Sequence, residues 1–533
     1  MPNDLYGRDS LWSSLDGPWD ILIIGGGITG AGILSEAQKS GYKTLLVEKR
    51  DFASGTSSRS SKLVHGGLRY LRNGQVKLTF ESVRERQRLL SEARGLVNPL
   101  SFVMANYQRD PYPGWVFGCG LALYDALGLC WRHKKYNPAD LLEICPGLQA
   151  DGLTGGYRYF DAVTDDARLV YRIIMDASQT GARAINYTSI INLLKDSRGA
   201  VCGVIAQDET SPNTVKTKEI HARVVINASG IWTDRIRKQV GASPRIRKLR
   251  GSHLVFSASR LPLSRAVSVM HPIDSRPVFA IPWEGVTLFG TTDMDHQGLS
   301  DDEPVISSSE IEYLLVGVKT LFPAYDLSYG DIQTSFSGIR SVIDSGKVDP
   351  CKESREHVIW EENGLITVTG GKLTTYRLMA CQALELARRR LKLTLEDSRP
   401  PQHFNNPETD SPHERDNPLA VLNPPTRLRL AGRYGPIAPD VLQSAQPGEM
   451  DCIPGTQTIW AELRWAARTE NVIHLDDLLL RRTRLGVLLP HGGKGILNRV
   501  KQIVQAELHW DENRWDEECS NYLRLWDTCY HCP

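Results

Sequence analysis

The sequence predicts an α/β fold built on a Rossmann-like dinucleotide-binding domain, and three glycine-bearing segments carry that prediction. WDILIIGGGITGAGILSEAQKSGYKTLLVEKRD (19 to 51) reads as strand, turn, helix, strand. VVINASGIWTD (224 to 234) is another buried strand running into small residues. ITVTGGKLTTYRLMACQALELARRR (366 to 390) is a third strand that stops at a glycine pair ahead of a long helix. With 533 residues the chain exceeds one ordinary core, so two domains or one large domain with an appendage are expected.

In the first unit, Ile21 to Ile24 form a short apolar run that ends at Gly25, Gly26 and Gly27, and Gly30 follows. Gly25, Gly27 and Gly30 fill a GxGxxG pattern. Glycines there permit a tight turn, backbone approach to a pyrophosphate and close helix packing, while the helix N-terminus offers free N–H groups. Glu48 ends the second strand, where a carboxylate can accept hydrogen bonds from ribose hydroxyls. The late third glycine site fits a flavin fold better than a compact nicotinamide-binding unit. A helix starting after Gly371 would point N–H groups at an electron-rich ring.

Composition narrows the class. A hydrophobic content of 41%, a charged content of 23% and a net charge of +1 argue against disorder and against a nucleic-acid binder. Ten irregularly spaced cysteines, with no charged and then apolar leader, read as free thiols in a reducing, cytoplasmic compartment. One segment, WVFGCGLALYDALGLCW (115 to 131), is almost wholly apolar and is followed by Arg132, His133, Lys134 and Lys135. It reads either as a buried core helix or as a helix lying in a membrane interface. In the second reading Trp115, Phe117 and Leu121 enter the acyl boundary and the cations of 132 to 135 meet anionic head groups.

The stretches GGGITGAGI, TSSRSSKLVHGGLRYL (56 to 71), DDARLV, GSHLVF, IPWEGVTLFGTTD, SGIR, GGKLTTYR, AGRYG and DDLLLRRTRLG span most of the chain. Through them it resembles the FAD-dependent glycerol-3-phosphate dehydrogenases, within the glycine-oxidase-like and D-amino-acid-oxidase-like flavoproteins. The resemblance implies an FAD-binding domain of the glutathione-reductase/D-amino-acid-oxidase type, a mixed-sheet substrate domain and a helical C-terminal cap. The first two are expected to interleave over 19 to 397, with a Pro/Asn/Asp-rich linker at 398 to 418 and the cap at 419 to 533.

A glycerol phosphate carries close to two negative charges, so its site needs several cations, preferably arginines with planar donor forks. By motif, the resemblance places Arg69 and Tyr70 of HGGLRYL, Arg340 of SGIR, Arg355 of ESREH and Lys372 of GGKLTTYR on the substrate. Arg355 rests on its spacing from Arg340 alone. Ser57, Ser58, Ser60, Ser61 and Lys62 are implied to line the cofactor, with Gly230, Gly371, Leu373 and Thr374 completing its site. His65 is the group in that block able to take a proton near neutrality. His253 and a water aligned by Arg340 are the alternatives. Arg250 stands before GSH where some relatives carry lysine, which leaves the role of that position open.

The implied reaction oxidises glycerol 3-phosphate to dihydroxyacetone phosphate by hydride transfer to flavin N5. His65, Arg340 and Lys372 are the catalytic set, and electrons pass to a membrane quinone from a protein peripheral on the cytoplasmic face. Oxygen as acceptor, or a flavoprotein without turnover, are the alternatives, and a homodimer is possible. Cys529 and Cys532 form a CxxC with Cys519 nearby, but no second ligand pair accompanies them, so no metal site is expected.

Overall fold

The computed structural model describes residues 8–72, 74–128, 131–210, 215–298, 301–347, 353, 356–391 and 418–532. The linker expected at 398 to 418 lies, apart from Pro418, outside them.

Two sheets organise the chain, and each is assembled from separated stretches of it. In the first, His357–Glu362, Leu365–Gly370, Thr217–Asn227, Trp19–Ile24, Thr44–Val47 and Arg183–Ile185 lie side by side, with Val201–Asp208 attached to Thr217–Asn227 and Thr188–Lys195 to Val201–Asp208. Trp19–Ile24 pairs in parallel with both Thr44–Val47 and Thr217–Asn227. Its apolar run is buried on both faces, as a central parallel strand covered by helices requires. The helices Ile28–Lys39, Asp166–Gln179 and Tyr376–Leu391 supply one covering layer and share a core with the sheet.

The second sheet joins ten described strands, including Val97–Tyr107, Leu153–Thr164, Ile246–Ser257, Ala266–Met270, Pro277–Trp283 and Ile332–Ile343. It is mixed, because Ala266–Met270 runs parallel to Val97–Tyr107 while the other pairings are antiparallel. The two-residue period of Val97–Tyr107 divides its side chains. Val103, Ala105 and Tyr107 join the core under the helix Ser308–Leu321, whereas Phe102 and Met104 join the core shared with the C-terminal helices.

The C-terminal helices include Pro424–Tyr434, Trp460–Thr469, Leu497–Val504 and Glu512–Cys529. Asn423 and Asp511 cap the first and last by accepting from Thr426 N–H and Arg514 N–H. An ionic seam ties them to the first sheet. Arg481 and Arg482 reach Asp51 at 2.5 and 2.7 Å, Arg433 reaches Asp165 at 3.0 Å, and Arg168 holds Glu470 in a two-pronged pair at 2.8 Å. These groups are all buried.

The apolar segment at 115 to 131 contains the helix Gly114–Leu127. Trp115 is 67% exposed and Trp131 is 70% exposed, but Leu121 is fully buried and Phe117 is half-buried against the core. The expectation that Leu121 enters a membrane is therefore corrected: it faces the protein. Asp125 accepts from the backbone N–H groups of Arg132 and His133 and from the His133 ring, folding the basic run back onto the helix end. No described helix is long and apolar enough to cross a membrane. The eight described cysteines are unpaired, and no described cluster of His, Cys, Asp and Glu is placed to hold a metal.

Burial by itself would raise the Asp51 carboxyl, but Arg482 and Arg481 outweigh it and hold it at about 2. A depressed carboxylate contributes stability above its unfolded value of about 3.9, and that contribution is lost as pH falls through the folded value. Asp51→Asn is expected to cost about 3 to 5 kcal/mol at neutral pH, because it strands two buried guanidinium groups. Chemical denaturation across pH checks this. The gap between wild type and variant should close as pH falls from about 4 to about 2.

Candidate functional site

A cavity of about 1790 Å³ runs between the two sheets and collects most of the residues singled out in the sequence. At one wall the strand Trp19–Ile24 ends in Gly25, whose φ is +114°. A Cβ there would lie 2.6 Å from the Ala228 carbonyl oxygen, so only glycine admits the neighbouring chain. Gly30 does not line the cavity. It packs the helix onto the strand end, since its Cβ would meet Gly25 O at 1.9 Å. Gly27 opens the helix Ile28–Lys39, and the Ser57 hydroxyl accepts from Ile28 N–H at 3.0 Å at that N-terminus.

Glu48 lines the same wall. Its two oxygens accept from Gly26 N–H at 2.6 Å and Arg50 N–H at 2.9 Å, which fixes the turn. Burial pushes its carboxyl up, against these hydrogen bonds. Gly230, Gly371, Leu373 and Thr374 line the cavity as well. The Thr374 hydroxyl donates to the His65 carbonyl at 3.2 Å, which ties the third glycine site to the serine and histidine block. Gly371 has φ +75°, and a Cβ on it would strike Met379 Sδ at 2.5 Å. Lys372 precedes a short turn, Leu373–Thr375, that runs on into the helix Tyr376–Leu391. The glycine-lined turn, the helix N-terminus at Gly27 and the half-buried Glu48 carboxylate together fit an FAD.

Two residues assigned to the cofactor do not line the cavity. Lys62 is fully buried and outside the cavity: its ammonium donates to Ser58 O at 2.6 Å and to both Asp166 oxygens at 2.9 Å. Burial, and then the Arg484 charge, pull it down to about 7. Ser58 is likewise buried and lines no part of the cavity. Both hold the serine block from behind. Ser57, Ser60 and Ser61 face the cavity.

His65, Tyr70, Arg340 and Lys372 line the cavity together. Lys372 Nζ stands 3.6 Å from the centre of the Tyr70 ring and donates to the Ser82 hydroxyl at 3.1 Å. The His65 and Tyr70 rings are 6.3 Å apart. Arg69 belongs to the helix Leu68–Arg72, and Arg355 lies outside the described residues.

Arg340 is aimed by groups that sequence reasoning did not assign. It donates to Asp293 Oδ1 at 3.0 Å, to Thr291 Oγ1 at 3.0 Å and to Thr292 O at 3.3 Å. Its guanidinium crosses Gly251, where a Cβ would sit 2.2 Å from Nη2. Arg250 forms an ion pair with Glu310 at 2.6 Å, and Glu310 accepts from the hydroxyls of Thr292 and Ser252. Arg250 thus braces the turn that holds Arg340. The signal was present in GSHLVF and GTTD, but strand pairing was needed to bring them together. His253 is buried outside the cavity, with Nε2 2.8 Å from the Ser61 hydroxyl. Burial, then Arg340 and Lys62, hold its imidazole well below the usual range.

Comparison with known proteins points to the same fold and cofactor. A family profile described as FAD dependent oxidoreductase matches residues 20–377, and one described as the C-terminal domain of alpha-glycerophosphate oxidase matches residues 419–515. The chain is 34% identical to the aerobic glycerol-3-phosphate dehydrogenase of Staphylococcus saprophyticus, over 88% of this chain and 87% of that protein. It is also 34% identical to glycerol-3-phosphate dehydrogenase 2 of Mycobacterium tuberculosis, over 95% and 87%. The X-ray structure of the Bacillus halodurans glycerol-3-phosphate dehydrogenase complexed with FAD superposes with a TM-score of 0.75, at 29% identity and 97% coverage of each chain.

Lys62→Met separates a buried brace from a cofactor ligand. It is expected to lower stability by about 3 kcal/mol or more by leaving Asp166 short of a partner. Protein that remains folded should keep its flavin at full stoichiometry, as read from the absorbance ratio after gel filtration.

Proposed function

The chain belongs to the aerobic glycerol-3-phosphate dehydrogenase family of FAD-dependent oxidoreductases, and on that premise we propose that it oxidises sn-glycerol 3-phosphate to dihydroxyacetone phosphate and delivers the electrons to a membrane quinone. The observation that carries this reading is one cavity in which the glycine cradle, His65, and the cations Arg340 and Lys372 meet.

Bound FAD supplies the hydride acceptor. Gly25, Gly27, Glu48, Ser57 and the turn at Gly371 to Thr374 would hold it. Arg340 and Lys372 bind the phosphate dianion, with the Tyr70 ring beside Lys372, and the motif assigns Arg69 and Arg355 to the substrate as well. Fixing the phosphate fixes where C2 lies, and such placement contributes about 7 to 11 kcal/mol toward lowering a barrier. Arg340 arrives already oriented by Asp293 and Thr291, so little side-chain freedom is lost on binding. His65 takes the C2 hydroxyl proton. His253 is excluded from that role by its burial behind Ser61.

The acceptor reading rests on the helix Gly114–Leu127. Its exposed Trp115 and Leu123, the exposed Trp131 beyond it and the cations Arg132, Lys134 and Lys135 make an apolar patch with a basic rim. That composition suits an anionic membrane surface, where a quinone is dissolved. Oxygen as acceptor is the second reading, favoured by the oxidase-derived description of the C-terminal profile.

Anaerobic stopped-flow reduction of the flavin by glycerol 3-phosphate tests the site. Arg340→Ala is expected to raise the substrate concentration needed for half-maximal reduction by tenfold or more, a charge-assisted contact being worth roughly 1.5 to 3 kcal/mol. His65→Ala should leave that concentration unchanged and slow the limiting rate by about 100-fold. Unchanged kinetics in either variant would remove that residue from its role.

Sedimentation with vesicles tests the membrane reading. The protein should pellet with anionic vesicles at low salt, since each cation near the surface contributes about 1 kcal/mol. High salt should release it partly and detergent fully, and replacing Trp115 and Trp131 by serine should abolish binding. A wild-type protein that stays in the supernatant at low salt would leave the oxygen reading the stronger.

A further inference from the structure

Asn106 is a polar side chain on the cavity wall that the chemistry above does not use. It is 4% exposed, and among the described residues neither its Oδ1 nor its Nδ2 has a hydrogen-bond partner. Its strand places it on the same face as Phe102 and Met104, which also line the cavity. Val116 and Phe117 of the helix Gly114–Leu127 stand in the same wall, as do Met270 and Phe279 of the neighbouring strands. The result is a slot with largely apolar walls, the Ser268 hydroxyl and one unpartnered amide.

The two carboxylates of this branch are engaged. Asp110 accepts from Tyr107 N–H, and Asp274 accepts from the Tyr313 hydroxyl. An amide buried without partners is costly, and a ligand that accepts a hydrogen bond from it recovers that cost on binding. The ligand must be largely apolar to match the walls and must present an acceptor oxygen. A phosphate ester fails the first requirement, being ionic against apolar walls, and the cation bordering this branch, Arg276, lies beside the Asp274 carboxylate at 3.9 Å. A quinone ring has two apolar faces and carbonyl acceptors at its edge. The slot is also lined by Leu123, which reaches the exposed apolar face of the same helix, so a lipophilic ligand can enter from the membrane side.

We propose that this slot is the quinone site and that Asn106 Nδ2 donates a hydrogen bond to one quinone carbonyl oxygen. The proposal rests on the quinone reading given above. The slot is continuous with the flavin cradle, so the acceptor meets the reduced cofactor within one cavity. Two electrons and two protons pass from the reduced cofactor to the quinone: both C=O groups become C–OH, the quinol leaves, and the cofactor returns to its oxidised form. Asn106 positions the acceptor and transfers no proton.

The test uses FAD-loaded enzyme and decylubiquinone, with binding read from quenching of tryptophan fluorescence. Asn106→Leu is expected to weaken binding about tenfold and to raise the KM for decylubiquinone in parallel. Anaerobic flavin reduction by glycerol 3-phosphate should keep its rate, and Tm should not fall, because the substitution removes an unpaired buried amide. Asn106→Ala carries the same expectation and decides the matter if the leucine variant does not fold. Unchanged decylubiquinone affinity in the folded variant would overturn the proposal and leave Asn106 satisfied by bound water only. If wild-type enzyme reduced by glycerol 3-phosphate bound no decylubiquinone and were reoxidised by oxygen, the quinone reading itself would fall, and this site with it.

Discussion

The carboxylates Asp51, Asp165 and Asp166 connect the fold to the site. Asp51 follows the second strand of the nucleotide unit. Asp165 caps the helix Asp166–Gln179, and Asp166 holds Lys62 and the Ser60 hydroxyl of the serine block. Each also receives a guanidinium from the C-terminal part: Arg481 and Arg482 on Asp51, Arg433 on Asp165, and Arg484 on Asp166. Arg484 donates to Ser58 O as well. The helical cap and the serine block, with Ser60 lining the cavity and Ser58 behind it, are therefore fastened to the same anions. A buried ion pair adds little net stability over an apolar contact, but losing one partner is expensive. The seam's consequence is fixed geometry: the cap cannot shift without uncovering charge.

That seam explains which parts of the site were legible from the sequence. Gly25, Gly27, Gly371 and Glu48 were readable because a local demand on backbone or charge fixes their residue type, and the structure places all four on the cavity. Arg340 and Lys372 were expected beside glycine-rich turns because a dianion needs cations, and both line the cavity. The serine block was read one step too generously. TSSRSSK alternates around a tight turn, and Lys62, with φ +61°, points away from the cavity into the seam. Composition cannot show that, since a lysine serves an anionic cofactor or an anionic neighbour equally well. Leu121 failed similarly: an apolar helix shows where hydrophobic surface exists, but which side the protein covers depends on strands remote in sequence.

Asp293, Gly251, Arg250 and Glu310 were beyond reach for a further reason. Arg250 and Gly251 meet Arg340 through the antiparallel pairing of Ile246–Ser257 with Ile332–Ile343, in which Leu249 faces Arg340 and Gly251 faces Gly338. Asp293 arrives after Val286–Gly290, which pairs with Ile246–Ser257, and Glu310 comes from the helix Ser308–Leu321. Pairing register is a long-range property that motif spacing does not report. The arrangement matters chemically because a guanidinium on a long stem is otherwise free to sample many positions. Here its donors are already directed, Gly251 leaves room for it, and Glu310 is held by Arg250 and braces the turn from beneath.

The cations of the protein thus divide into two populations with different physics. Arg433, Arg481, Arg482 and Arg484 are buried, paired and silent toward ligands, whereas Arg340 and Lys372 border the cavity. A net charge of +1 does not reveal this division. The anionic substrate needs only a local excess of positive charge, and the seam supplies the anions that keep the remaining arginines out of the site. The Asp293 carboxylate is the one exception within the clamp. It lowers the local positive charge but fixes the direction of Arg340, exchanging some attraction for orientation. In an oxidation at a single carbon, where misplacement by about 1 Å can cost two orders of magnitude in rate, orientation is the more valuable of the two.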